Sequence, residues 1–276
     1  MKHSPNDHAA VGSQGSIAVE QRSQRLARYY DLDFLDIGYD AELYQRLAHE
    51  AGGPVLELGV GSGRLAIPLA LAGHEVVGID IDRAMLQRAQ TAWDDVRGQL
   101  EPGRLRLREG DYRELQPEPR FGLALIAVNT FLLAGDDDAR LAILATMAAS
   151  LRPGGIAVVE VGTPDDAELE RYDRRVQHEW LRQDPATGEQ VSKTIVADHD
   201  PDAGTLRLTQ LFEWTPPDGG PVSRVSRVDL LHLVSAEDLC RLAREAGFGS
   251  VEVWGDHLLT PYDAGSQRAI LVARLV

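Results

Sequence analysis

The pattern of apolar and polar positions divides the chain into two regimes. Between Val55 and Val161, short apolar runs alternate with helical patterns, which predicts a parallel, doubly wound sheet. Val55 to Leu58 is an apolar run interrupted by Glu57. It ends at Gly59, Gly61 and Gly63, and a helical pattern follows from Leu65 to Leu71. Pro68 inside that pattern should distort the helix locally. Further strands are predicted at His74–Asp80, Leu105–Tyr112, Phe121–Asn129 and Ile156–Val161, the last fed by a turn at Leu151–Gly155. Phe121–Asn129 is apolar throughout with a polar tip, as a strand covered on both faces requires.

After Val161 the pattern changes. Arg171 to Arg182 is polar and predicted to start as a helix. Three strand-like runs follow, Lys193–His199, Thr205–Trp214 and Val222–Val234. Asp200-Pro201-Asp202-Ala203-Gly204 and Pro216-Pro217-Asp218-Gly219-Gly220 separate them and are turn compositions. The expectation is an antiparallel meander inserted in the core fold. The core resumes with a helix from Ser235 to its cap at Gly247, then strands at Ser250–Trp254 and Arg268–Leu275. Upstream, residues 1–18 are small and polar and are expected to be disordered. Helices are predicted at Glu20–Asp31 and Ala41–Glu50, the second ended by Gly52-Gly53-Pro54.

The glycine turn carries most of the functional signal. Glycine lets a ligand approach the backbone, and the following helix offers unpaired N–H groups. A dinucleotide fingerprint G-x-G-x-x-G aligned on Gly59 and Gly61 needs a third glycine at position 64, which is Arg64. Glu57, two residues before the first glycine, would repel a pyrophosphate and suits a ligand bearing an ammonium group. His74–Asp80 ends in an acid where such folds bond ribose hydroxyls. A second acid, Asp111, ends the third strand.

Taken in order, Glu57–Arg64 (E-L-G-x-G-x-G-R), Gly78–Asp80, Gly110–Tyr112, Val128–Phe131 and Leu151–Gly155 resemble the motifs of class I S-adenosylmethionine-dependent methyltransferases. The likeness runs from about Tyr29 to the C-terminus. It implies an α/β fold with a mostly parallel seven-stranded sheet of Rossmann-like type. It also implies S-adenosyl-L-methionine as cofactor and S-adenosyl-L-homocysteine as product. Glu57, Gly59 and Gly61 would hold the methionine part, with Gly63 and Arg64 completing the turn. Asp80 would take the ribose hydroxyls, Ile81 would pack on the adenine, and Asp111 with Tyr112 would read its edge. Val128 and Asn129 would line the crevice beside the sulfur. Tyr30 and Asp31 resemble a Tyr-Asp pair in a lid helix over the cofactor. The organisation expected is a tail at 1–18, lid helices at 19–53, a cofactor-binding core at 54–165 and 235–276, and an inserted helix and strands at 166–234. The insertion would serve the substrate, a lid or a dimer contact.

Composition narrows the partners. The formal charge is −15, which disfavours a nucleic-acid backbone because such binding needs Lys and Arg on phosphates. Arg171, Arg174, Arg175 and Arg182 form a cluster that reads first as a solvated face and second as a site for an acidic partner. No apolar run approaches the ~20 residues of a membrane span, and the first residues lack an apolar signal core. The expectation is therefore a cytoplasmic protein, monomer or homodimer, without nucleic-acid or membrane partners. The single cysteine, Cys240, reads as a small packing residue.

Methyl transfer from a sulfonium is an in-line displacement that depends on positioning and water exclusion. A base is required only when the nucleophile arrives protonated. Candidates for chemistry are Tyr30, Asn129 and His232. Thr130, Phe131, Glu213, Trp214 and Asp229 stand beside them on the substrate side. His232 has a suitable intrinsic basicity, although a lone strand histidine commonly packs. His178 and Trp180 read first as surface residues and second as a cavity mouth. Asp198-His199-Asp200-Pro201-Asp202 reads as a turn, and no metal is expected. The function expected is methyl transfer to an N or O atom of a small-molecule acceptor. Alternatives are a protein or peptide acceptor, a non-catalytic cofactor-binding scaffold and, more remotely, an NAD-dependent oxidoreductase.

Overall fold

A computed structural model describes residues 7–35, 40–98, 100, 104–117 and 120–276. Helix α1 (Asp7–Asp33) and α2 (Ala41–Ala51) precede a seven-stranded sheet. Its strands are β1 (Val55–Leu58), β2 (Val76–Asp80), β3 (Leu105–Glu109), β4 (Phe121–Ile126), β5 (Leu151–Gly162), β10 (Ser250–Trp254) and β11 (Arg268–Arg274). The order is β10-β11-β5-β4-β1-β2-β3. β1 to β5 are mutually parallel, and β11 lies antiparallel between β5 and β10. Helices α3 (Ala66–Leu71), α4 (Arg83–Val96), α5 (Asp137–Ser150) and α7 (Ala236–Glu245) are the crossovers that parallel strands require. This is the doubly wound, Rossmann-like arrangement.

Both faces of the sheet are covered. Leu43, Leu47, Leu65, Leu69 and Trp93 pack on one face; Ile143, Leu144, Met147, Leu239 and Leu242 pack on the other. All six residues of β4 are consequently buried, which is why its sequence does not alternate. Gly122 permits a crossing that no other residue allows: a Cβ there would stand 1.6 Å from the Gly52 carbonyl oxygen. Side-chain caps start the later helices. Asp82 accepts from Ala84 N at 2.8 Å, Asp136 from Ala139 N at 3.0 Å, and Ser235 from Asp238 N at 3.0 Å.

A second sheet lies between β5 and α7. After α6 (Asp166–Tyr172) come β6 (Val176–Gln183), β7 (Gln190–Asp200), β8 (Thr205–Thr215) and β9 (Ser223–His232). They form an antiparallel sheet in sequence order. It packs on α1 through Tyr29, Leu32, Val191 and Phe212, with the Tyr29 and Phe212 ring centroids 5.5 Å apart. Lys193 Nζ and Trp180 Nε1 reach Asp33 of α1 at 2.8 and 2.7 Å, and Arg28 Nε meets Asp184 at 2.8 Å.

Several expectations are revised. Of the stretch expected to start as a helix only Arg171 and Tyr172, the end of α6, are helical, and Val176–Gln183 is a fourth strand of the meander. The expected turn at Leu151–Gly155 is an irregularity within β5, between the pairs Phe121↔Leu151 and Leu123↔Ile156. Pro68 falls in the first turn of the short α3, where a missing N–H costs least. Helix α1 starts at Asp7 and takes in residues 7–18 of the expected tail; residues 1–6 lie outside the described residues. Among the described residues, no helix is long and apolar enough to cross a membrane.

Candidate functional site

The parallel strands converge on one cavity of about 460 Å³ at their C-terminal ends, the position where open α/β sheets take ligands. Its floor is the turn after β1. Gly59, Gly61 and Gly63 have φ of +75°, +55° and +85°, the left-handed region that glycine occupies without strain. Gly61 N donates to Asp80 Oδ2 at 2.7 Å, and Asp82 N donates to Asp80 Oδ1 at 2.8 Å. Asp80 therefore joins the turn to the start of α4. Burial raises its pKa, while the two N–H donors oppose the shift.

Glu57 is buried beneath the turn. Its Oε2 has no hydrogen-bond partner among the described residues. Burial pushes its pKa up to about 8, Arg64 opposes the shift, and Asp80 adds to it. A buried carboxylate oxygen without a donor is costly, and an ammonium group brought to it would satisfy it. This orphaned atom, the glycine turn above it and the carboxylate of Asp80 fit the amino-acid and ribose parts of S-adenosylmethionine.

The walls come from several elements. Ile81 is largely exposed and lines the cavity together with Tyr112. Tyr112 Oη donates to the Thr130 carbonyl at 3.3 Å. Asp111 lines the cavity, but its carboxylate is gripped by Arg113 Nε at 2.9 and 3.0 Å, and this ion pair lowers its pKa. Tyr30, from α1, stands over the turn: a Cβ on Gly61 would lie 3.8 Å from Tyr30 Cε1. Its ring lies 4.9 Å from that of Phe34. Burial pushes the Tyr30 pKa up to about 12, so the phenol keeps its proton and can donate but not act as a base near neutrality. Asp31 ties α1 to α4 through Arg88 Nε at 2.7 Å.

Other expected residues play different parts. Arg64 pairs with Asp40 and lies 4.6 Å over the Phe34 ring; it supports the lid and does not line the cavity. Gly63 faces Ile67 and Ala89. Val128 holds φ +57°, a strained conformation for a β-branched residue. It turns the chain so that Asn129 Oδ1 accepts from Gly162 N at 2.7 Å. Asn129 thereby joins the ends of β4 and β5 and does not line the cavity. His232 ends β9 outside the cavity, and its carbonyl accepts from Arg140. Trp214 packs under Arg25, 4.0 Å from the guanidinium carbon. Asp200 Oδ1 accepts from Asp202 N and Ala203 N at 3.1 and 3.0 Å, closing the turn read from the sequence.

The roof comes from the inserted meander. Arg227, Val228 and Asp229 of β9 line the same cavity as the glycine turn. Asp229 is one of the substrate-side candidates read from the sequence, where nothing set it apart from Glu213 and Trp214. Strand parity was the available signal. Positions 227, 229 and 231 share one face and 228, 230 and 232 the other, and Leu231 is buried while Val228 and Leu230 are exposed. His232 therefore leaves the strand on the face opposite Asp229.

The methyltransferase-domain family model matches residues 55–155. The cypemycin N-terminal methyltransferase of Streptomyces sp is 35% identical over 225 residues, covering 80% of this chain and 82% of that protein. Among solved structures, the CcbJ methyltransferase from Streptomyces caelestis is similar with 26% identity and a TM-score of 0.69, over 86% of this chain and 94% of that one. The sugar N-methyltransferase KedS8 from Streptoalloteichus sp shares the fold, with 18% identity and a TM-score of 0.70 over 89% and 92% of the two chains.

Proposed function

Because the chain belongs to the S-adenosylmethionine-dependent methyltransferases, we propose that it methylates a nitrogen atom of a small amine acceptor. One observation carries the choice of nitrogen. Among the described residues that line the cavity there is no histidine, lysine or glutamate; the carboxylates of Asp80, Asp82, Asp111 and Asp229 each already accept a hydrogen bond, and the Tyr30 phenol is held protonated. A hydroxyl acceptor must lose its proton as it attacks and so needs a positioned base. A neutral amine attacks with its own lone pair and can release a proton afterwards.

S-adenosylmethionine supplies, when bound, a methyl group activated by a sulfonium. The protein holds and encloses the reactants. Asp80 and the backbone of Gly59 and Gly61 would bind the ribose and methionine parts, and Glu57 would pair with the ammonium group. Ile81 and Tyr112 would flank the adenine. Tyr30 covers the turn and excludes water, and its flat ring face favours a neighbouring cation. Positioning of this kind is worth roughly 7–11 kcal/mol in favourable cases.

A peptide amino terminus is a second reading of the acceptor. It is supported by the 35% identity to a methyltransferase whose name specifies an N-terminal substrate. Methyl-labelled cofactor incubated with the protein and a mixture of amines, alcohols and short peptides tests both. Label on nitrogen, located by fragmentation mass spectrometry, is expected. Label confined to oxygen, carbon or sulfur overturns the assignment to nitrogen.

A further inference from the structure

Asp229 is the acid of the cavity that the floor does not use. Asp80 is occupied by two backbone donors, Asp82 caps α4, and Asp111 is gripped by Arg113. Asp229 comes from the opposite side, on β9. Its Oδ1 accepts from Arg227 Nε at 2.9 Å and its Oδ2 from Gln210 Nε2 at 3.0 Å. Gln210 is the register partner of Arg227 on β8, so the carboxylate is held in a fixed orientation by two neighbouring strands. Its side chain is only 14% exposed. Each carboxylate oxygen keeps a further lone-pair direction beyond the bond described.

The surroundings indicate what that acid meets. The guanidinium of Arg227 also acts on Asp80 and Tyr30, so its positive charge is shared between roof and floor. Val228 and Leu133 line the cavity with much of their apolar surface exposed, 53% and 38%. A fixed, partly desolvated acid beside bare apolar surface suits a nitrogen carrying N–H bonds on an apolar body.

Resting on the nitrogen reading above, we propose that Asp229, fixed by Gln210 and Arg227, binds and orients the amine of the acceptor. The carboxylate accepts a hydrogen bond from the acceptor N–H and faces the positive charge that develops on nitrogen during attack. Arg227 offsets part of the acid's charge, which limits trapping of the amine as unreactive ammonium. Leu133 contacts the apolar group beside the nitrogen.

The test uses the full chain saturated with S-adenosylhomocysteine. Two amine probes distinguish the source of the nitrogen: an alanyl peptide with a free amino terminus, and an amino sugar glycoside. The N-acetylated peptide and the corresponding hydroxy sugar are controls. Calorimetry should show an amine probe binding the wild-type complex and its control failing to bind. Asp229→Asn should keep the S-adenosylhomocysteine Kd within about twofold while weakening the amine about tenfold or more, as loss of a charged hydrogen bond implies. Gln210→Leu should weaken the amine by a smaller factor, and KM should rise more than kcat falls in both variants.

Amine binding unchanged in Asp229→Asn overturns the proposal, as does failure of both amine probes to bind the wild type. Equal loss of S-adenosylhomocysteine and amine affinity assigns Asp229 to the cofactor instead and also overturns it. Nitrogen-labelled product with an unaltered KM in Asp229→Asn rejects Asp229 alone. Product labelled only on oxygen rejects the nitrogen reading itself.

Discussion

The backbone N–H of Gly61 donates to Asp80 Oδ2 at 2.7 Å, so the glycine turn after β1 is fastened to the end of β2. Asp80→Ala removes the acceptor for two N–H groups as well as the expected ribose contact. S-adenosylhomocysteine affinity should fall about 10- to 100-fold, at roughly 1.5–3 kcal/mol per charged hydrogen bond. Calorimetry with a parallel thermal melt checks this. An unchanged Kd would show that Asp80 serves the turn alone.

Glu57 should make both stability and cofactor binding depend on pH. Burial lifts its folded-state pKa from 4.5 to about 8. Between those values the folded protein holds a proton that the unfolded chain has released. The stabilisation is complete below the lower value and is lost as pH rises through the higher one. Glu57→Gln should flatten this slope and leave the ligand-free variant more stable than wild type above about pH 8. In the wild type, pairing with an ammonium group requires the ionised form, so ligand binding at neutral pH should release a proton. Calorimetry of S-adenosylhomocysteine in two buffers of different ionisation enthalpy reads that release. Equal enthalpies in the two buffers for the wild type contradict the assignment.

Asn129 and His232 should separate cleanly. Asn129→Ala leaves Gly162 N without its acceptor and should cost about 1–3 kcal/mol of stability, measured by denaturant unfolding. His232→Ala should leave turnover within about twofold of wild type, since its carbonyl rather than its ring is engaged. A large loss of kcat in His232→Ala with normal cofactor binding would restore it as a base.

Tyr30→Phe keeps the ring over the turn and should reduce turnover modestly. Tyr30→Ala opens the cavity and should also weaken S-adenosylhomocysteine, because alignment and water exclusion are lost together. Wild-type kinetics and Kd in Tyr30→Ala would remove Tyr30 from the site.

The floor of the cavity was legible because its residues are adjacent in sequence to the strands that place them. Glu57, Gly59, Gly61 and Asp80 follow from a buried strand and a tight turn. Asp111 was legible as a position but not as a partner, since Arg113 two residues later takes its carboxylate. The contacts of Arg64 and Asn129 were not legible for a related reason. Their side chains join elements distant in sequence, Asp40 and Gly162, which no local pattern announces. β6 escaped because its few apolar residues, Val176, Trp180 and Leu181, do not keep to one face, and the irregularity between His178 and Trp180 breaks the two-residue period that marks a strand. The roof depends on how a whole sheet is placed over the core, so Asp229 was legible as a substrate-side candidate while its place across the cavity from the glycine turn was not.

The four-stranded sheet leaves the core after β5 and returns at α7 as one uninterrupted stretch of chain. Everything it presents to the cavity is therefore encoded separately from the glycine turn and the acids of the floor. Under the proposed function, exchange of residues 166–234 between related enzymes would re-address the methyl group to a different recipient without rebuilding the donor's seat. The α1 contacts at Asp33, Arg28 and Tyr29 would have to travel with the exchanged segment. A graft that omits them would detach the roof rather than retune it.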